Sequence, residues 1–530
     1  MRSPREFIWK AIRALDMLRS SVVVTLISIM GYLISFVAQL QIARLYGASV
    51  HLDTYLVAIS IPFLFVTATN GLFSYSIVPI LVRKKVDFDH YTQFTGLLLD
   101  FVIIFAFLLP CVAYFLSPIM INTMVPAYSD LLKSSAITML RFSWLMYGCT
   151  IVISYLSSLH NAAKKFFCPV LVNILPYLGM ICLMLLKSQL GTLALVLGMV
   201  IGNLVAIPLL LLGIRKEFCY GPAVLSQCQE IINVFKKVPL VLFFMLCISI
   251  FPTIDAFWAT RLGESNLSYL GYGQKILLAL GNIILLGPLT VMHPYLSEAA
   301  VKSQFKEFRA YTLRALRMML FFLSITFLTC SIFRLTFVRL IYERGAFDHA
   351  ATLAVGAIIP GFSLGVMAMV TVILLYRVFF AKGDIVGVAQ ISGVGAISYF
   401  LLSGLLSKII GLSGIVGAYV IIWFGLLSWA VGRLWRDNLN EILNRDNLRF
   451  LWHLALALLV CGALLWVGDL FLIRPTLDKK LSSFLPLLIL TIGVGLAGFL
   501  VVTIKGFKMQ EIILLIELLP IDRMKKLASQ

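Results

Sequence analysis

The chain has 530 residues, of which 61% are hydrophobic and 13% charged, and it carries a formal net charge of +19. A soluble domain holds about twice that share of charge, so a water-soluble enzyme is excluded as the starting reading. The excess of Lys and Arg would suggest nucleic acid in a soluble protein. Here those residues sit mostly in short segments between apolar runs, where they set topology, and no nucleic-acid partner is expected.

Apolar runs of about 18 residues or more recur along the whole chain, each long enough to cross a hydrocarbon core as a helix. A bilayer offers backbone groups no water to bond, so the runs must be helical. The predicted fold is an all-α polytopic membrane protein. Residues 1–19 read as a retained basic amphipathic helix in the cytoplasm, without the short apolar core of a signal peptide. Six spans follow within an N-lobe, 20–214: at 20–42, 55–82, 94–118, 136–159, 170–186 and 193–214. A cytoplasmic linker, 215–239, leads to a C-lobe, 240–432, with spans at 240–260, 268–297, 318–338, 352–380, 389–410 and 412–432. The segment 433–504 holds a cytoplasmic loop and spans at 450–472 and 484–504, and 505–530 is a basic cytoplasmic tail. These make fourteen spans.

Basic residues test that assignment. With both termini in the cytoplasm, and with Arg334, Arg377 and Lys408 near span ends counted with the adjoining segments, 30 of the 43 Lys and Arg residues fall in cytoplasmic segments and 11 in outer ones, while Arg141 and Lys275 lie inside spans. This bias is what cytoplasmic retention of positive charge requires. Spans two, eight and ten are the long ones and carry Pro62 and Pro79, Pro288 and Pro294, and Pro360. They should tilt, bend or extend beyond the bilayer.

A repeat organises the twelve central spans. Ala43-Arg44-Leu45-Tyr46-Gly47 ends span one, Thr260-Arg261-Leu262-Gly263 ends span seven, and each precedes a polar turn and a long span. Ala163-Lys164 and Ala381-Lys382 match at nearly the same spacing. Two six-span halves entering from the same side imply a parallel pseudo-twofold along the membrane normal.

Ionisable groups inside spans are costly and face protein or water. Lys275, beside Gln274 in span eight, is the leading candidate contact for an anionic substrate. Asp255 in span seven is either its structural ion-pair partner or a second cavity group. Asp100 and Arg141 lie near span ends and can snorkel to the interface. Asn70, Asn203 and Asn282 either line a cavity or bond across helices. Arg44 and Asp53 bracket the first outer loop as a solvated pair or as rim residues of a cavity. The nine cysteines are scattered without a C-x-x-C pair and read as small hydrophobes. The sequence holds no metal-ligand cluster, Walker A loop or nucleophile elbow, so neither an enzyme nor a cofactor is expected. The energy source would be an ion gradient, the membrane potential or the substrate gradient, with the coupling ion left open.

Several segments resemble the MurJ/MviN family. Ile42-Ala43-Arg44-Leu45-Tyr46-Gly47-Ala48 with Asp53 and Ile61-Pro62 is similar to that family's first hairpin, as is Phe73-Ser74 leading to Val78-Pro79-Ile80-Leu81. Tyr272-Gly273-Gln274-Lys275 leading to Tyr295-Leu296-Ser297 matches its span eight. Ile341-Tyr342-Glu343-Arg344-Gly345-Ala346-Phe347-Asp348 matches the outer loop before span ten, and Arg377 to Asp384 the loop after it.

The resemblance implies two six-helix lobes in a V around a cationic cavity, with the last two helices forming a lipid-facing groove. It further implies flipping of a polyprenyl-pyrophosphate-linked saccharide, lipid II in the type members, across the bacterial inner membrane by alternating access. Membrane lipids and cell-envelope synthesis enzymes are the implied partners. On this reading Lys275 binds the pyrophosphate, Asp255 and Asp53 set local charge or take part in ion coupling, and Glu343, Arg344, Gly345 and Arg377 belong to gating loops. The chain departs from the family in its charges. Residues 21–43 carry none, the run after Pro62 is Phe63-Leu64-Phe65-Val66-Thr67-Ala68-Thr69 rather than paired arginines, and Gln274-Lys275 replaces Asp-Arg. A different lipid-linked glycan, a multidrug antiporter of the same superfamily and a non-transporting membrane scaffold remain open as alternatives.

Overall fold

The computed structural model describes residues 26–84, 88–186, 188–214, 238–301, 305–436, 444–473, 489–494 and 496–497. The expected N-terminal helix, the tail, nearly all of the linker and most of the fourteenth span lie outside them. Every regular element among the described residues is helical. They are α1 (Leu26–Tyr46), α2 (Val50–Leu72), α3 (Val78–Lys84), α4 (Phe88–Met124), α5 (Asp130–Ala162), α6 (Phe167–Val172), α7 (Leu175–Leu186), α8 (Leu193–Ile214) and α9 (Val238–Ser249). Then come α10 (Phe251–Ala259), α11 (Asn266–Val301), α12 (Phe305–Ile332), α13 (Arg334–Tyr342), α14 (His349–Ala381), α15 (Ile385–Ile410), α16 (Leu412–Leu434) and α17 (Arg445–Gly468).

Eleven described helices are long and apolar enough to cross a membrane, or twelve if α9 and α10 count as one broken span. The expected fourteen is therefore not reached among the described residues. The eighth expected span falls in α11. The break between α9 and α10 bends the chain by 40° at Ile250. Pro252 sits in the first turn of α10, where its missing N–H costs nothing inside that helix but interrupts the preceding ladder. The long second span is α2 continued through a π-helical turn, Phe73–Ile77, into α3, and α11 and α14 run 36 and 33 residues.

The helices form two compact units, residues 1–268 with 344–348, and 269–343 with 349–530. In the first, α5 is central: it packs on α2, α4 and α8, while α7 packs on α8. In the second, α14 takes the equivalent place against α12 and α16, and α15 packs on α16. Helices matched by the sequence repeat therefore have matching neighbours within each unit. α17 docks on α12 through Phe321, Ile325, Phe450, Leu454, Ala457 and Cys461.

Close approach of α7 and α8 depends on small residues, as helix pairs in lipid commonly do. A Cβ on Gly198 would lie 2.6 Å from the Gly179 carbonyl oxygen, and one on Gly202 would lie 2.5 Å from Pro176 Cα. Gly198→Val is therefore expected to destabilise by about 2–3 kcal/mol through overpacking, read as a lowered thermal midpoint of the detergent-solubilised protein. An unchanged midpoint would show that the two backbones do not meet this closely.

Candidate functional site

Three segments far apart in sequence meet in the first unit. α1 ends at Tyr46, and Gly47, at φ +57°, turns the chain out of the helix while its N–H donates to Ala43 O. Ser49 then caps α2, its Oγ accepting from Leu52 N. The second segment follows α10, where Gly263 and Ser265 take positive φ before α11 begins at Asn266. Ser265 Oγ donates to Ala48 O at 3.1 Å, so the two turns matched by the repeat lie against each other.

The N-terminus of α11 leaves N–H groups without intrahelical acceptors. Asp53, in the first turn of α2, supplies one: its Oδ1 accepts from Ser268 N at 2.7 Å and also from Ser268 Oγ. Asp53 is completely buried, and its Oδ2 has no hydrogen-bond partner among the described residues. Arg44 is exposed. The solvated Arg44–Asp53 pair entertained from sequence is therefore wrong, because the carboxylate has left water to cap a helix 215 residues away.

The third segment is 344–348. Ala346 N donates to Arg44 O at 2.9 Å. Gly345 has φ +63°, and a Cβ on it would overlap Arg44 O, just as one on Gly47 would overlap Ala346 O. Two of the family-like loop motifs thus dock backbone to backbone. Arg261 closes the other flank, its guanidinium donating to Met124 O at 2.8 Å, Thr123 O at 2.9 Å and Phe257 O while lying over the Phe257 ring. A cation there meets the negative end of α4.

Asn70 lies elsewhere, on the seam between α2 and α5. Its Oδ1 accepts from Ser154 Oγ at 2.5 Å, next to a Thr69–Tyr147 hydroxyl pair at 3.1 Å and the Phe65, Trp144 and Tyr147 rings. This is the cross-helix bonding role, with the amide still partly open to its surroundings. Asp255 is buried in α10. Asp100 is exposed, and Arg141 lies over the Tyr114 ring at 4.6 Å.

In the second unit, Gln274 and Lys275 are partly exposed on α11, close to buried Tyr272, whose ring packs on Tyr342 at 4.8 Å. Glu343 accepts from Thr352 Oγ1 at 2.7 Å and lies 3.4 Å from His349 Nδ1 and 3.5 Å from Arg339 Nε. It thereby fastens the first turn of α14. Arg377 is partly buried near the other end of that helix.

Of the residues singled out from sequence, Arg44, Asp53, Arg344 and Gly345 therefore come together in the first unit, while Asn70 lies on another seam of that unit. Ser265 and Ser268 were not singled out. The one sequence signal pointing to the two serines was the spacing of the repeat, which sets them opposite the first turn.

These helices, long and apolar with polar caps at their turns, define a multi-pass membrane protein of the fold shared by flippases and multidrug exporters. An inward-facing multidrug resistance MATE family transporter of the MOP superfamily aligns with a TM-score of 0.65 at 11% identity, over 78% of this chain and 98% of that one. A solved lipid II flippase MurJ in an inward closed conformation aligns with a TM-score of 0.76 at 18% identity, over 91% and 98%. The curated lipid II flippase MurJ of Burkholderia cenocepacia is 22% identical over 390 residues, 70% of this chain and 74% of that protein. Residues 42–475 match the family described as lipid II flippase MurJ, and the chain belongs to that family. The family is one of transporters, so the expectation of a transporter rather than an enzyme holds at that level.

Proposed function

We propose that this protein carries a polyprenyl-pyrophosphate-linked saccharide of the lipid II class from the inner to the outer leaflet of the bacterial inner membrane by alternating access. The family match over residues 42–475 carries this reading. On the charge bias, both termini are cytoplasmic and the corner of Arg44, Asp53, Ser268 and Ala346 faces outward. That corner serves as the outer gate: closed, it caps α11 with Asp53, and opening it must break the Ser268 and Ala346 hydrogen bonds. Lys275 supplies a point charge for the pyrophosphate.

Expression of this chain during depletion of a resident lipid II flippase is the test, with restored growth expected. Failure by protein that is present in the membrane would remove lipid II as cargo. The absence of charge from Leu26 to Ala43 in α1 favours, as a second reading, a related lipid-linked glycan with a smaller demand for cationic contacts. For the site, Lys275→Ala is expected to lower complementation at least tenfold with normal membrane levels. Full complementation would remove Lys275 from the binding machinery.

A further inference from the structure

We propose that the uncovered side of α2, with Asn70 held by Ser154 at its centre, is a binding site for an uncharged sugar ring. Along α2 and the π-helical turn that continues it, Phe63, Thr67, Asn70 and Ser74 are exposed. Their spacing sets them along one side of the helix. The other sides are packed. α5 covers one, and α9 and α10 cover another, where Thr253 Oγ1 donates to Ser60 O at 3.1 Å and Met245 lies against Gly71. A side carrying Thr67, Asn70 and Ser74 is unlike a surface built for acyl chains. α4, in the same unit, shows such a surface, with Ile104, Phe107, Phe115 and Ile119 exposed. An amide turned to hydrocarbon finds nothing to bond, so this side of α2 meets water or a polar ligand.

Asn70 is used on one side only. Its Oδ1 accepts from Ser154 Oγ at 2.5 Å, and among the described residues this is the one hydrogen bond of its side chain. A primary amide also carries two N–H donors. The oxygen therefore fixes the group to α5, and the donors are left for a ligand. Thr67 Oγ1 donates to Phe63 O at 2.9 Å, which leaves its lone pairs as acceptors. Behind this side the seam is stiff. The Phe65 ring lies 5.7 Å from Trp144 and 5.9 Å from Tyr147, whose hydroxyl pairs with Thr69 at 3.1 Å. The Trp144 indole N–H is buried there without a hydrogen-bond partner among the described residues.

Residues 54–82 and 142–159, which contribute this seam, contain no Lys, Arg, Asp or Glu. A charged ligand would lack a counter-charge from them, which favours a neutral one. A sugar ring supplies oxygens to the Asn70 donors, a hydroxyl hydrogen to Thr67 and a C–H face to Phe63. That the ring belongs to the carried lipid rests on the carrier reading above, but its binding does not.

The test uses the full-length purified protein in lauryldimethylamine oxide, a detergent without a sugar headgroup. The probe is N,N′-diacetylchitobiose, a neutral disaccharide, with binding followed by ligand-observed NMR and folding by the thermal midpoint. Saturable binding is expected, without displacement by inorganic pyrophosphate. Asn70→Asp keeps an oxygen for Ser154 Oγ but removes both amide donors. A purely cross-helix role predicts unchanged binding, whereas the proposed site predicts binding weaker by about tenfold. Thr67→Val removes a hydroxyl that bonds only its own helix, and binding about threefold weaker is expected with the midpoint unchanged. No saturable binding, binding untouched by both substitutions, or displacement by pyrophosphate would each overturn the site. Restored growth under flippase depletion without disaccharide binding would remove this site and leave the carrier reading. Disaccharide binding without restored growth would do the reverse for lipid II as cargo.

Discussion

Asp53→Ala is expected to weaken the closed corner by about 2–3 kcal/mol and to lower complementation more than any substitution on the exposed faces of the same helices. Asp53 Oδ1 holds two donors of Ser268. Loss of a helix cap costs about 1 kcal/mol, and a hydrogen bond to a charged group contributes about 1.5–3 kcal/mol. Removal of the unpartnered Oδ2 offsets part of that loss. Ser268→Ala removes only the hydroxyl donor and leaves the backbone N–H in place, so about 1 kcal/mol is expected. The double substitution should cost less than the sum of the two, because both act through one oxygen. Thermal midpoints give the stability comparison, and growth under flippase depletion gives the functional one. Strictly additive midpoints would mean that the Ser268 hydroxyl does not bond Asp53. If the corner is the outer gate, Asp53→Ala also shifts the population towards the open state even where the protein remains folded.

Much of the fold was legible because lipid enforces it. Thirteen of the fourteen expected spans coincide with described helices, counting the bent pair α9–α10 as one and the eighth span in α11. The bend at Pro252 was not among those expected, which fell on spans two, eight and ten. The repeat was legible at Arg44 and Arg261 because a helix end followed by a polar turn needs the same few residue types wherever it occurs. What the sequence could not show is which polar group answers which. Asp53 read either as half of a solvated pair with Arg44 or as a cavity-rim residue; its actual partner is Ser268, set opposite by packing. Asn70 was ambiguous for a similar reason, and its partner Ser154 lies on a helix 84 residues away. The motif from Glu343 to Asp348 was recognisable as a loop, but its division of labour was hidden: Glu343 fastens α14, whereas Gly345 and Ala346 dock on Arg44.

That docking makes Gly47 the other position of large expected effect. At φ +57° an L-residue is strained by about 1–2 kcal/mol. Its new Cβ would also overlap Ala346 O and lie 3.2 Å from Phe347 N. These are backbone atoms, held by the Ala346 N–Arg44 O hydrogen bond, and cannot rotate aside. Gly47→Ala is therefore expected to cost about 3–4 kcal/mol. Gly191 provides the internal comparison: it has nearly the same φ, +55°, but nothing lies within 4 Å of a Cβ built on it. Gly191→Ala carries the dihedral strain alone, about 1–2 kcal/mol. The difference between the two thermal midpoints isolates the backbone contact between the first turn and the loop before α14. Gly345→Ala should repeat the larger effect, since its Cβ meets Arg44 O. Once either glycine has forced the two backbones apart, the second substitution loses its steric part, so the double variant should fall short of additivity by about 1 kcal/mol. Equal costs at Gly47 and Gly191 would mean that the loop does not rest on this turn, and the proposed gate would lose one of its two locks.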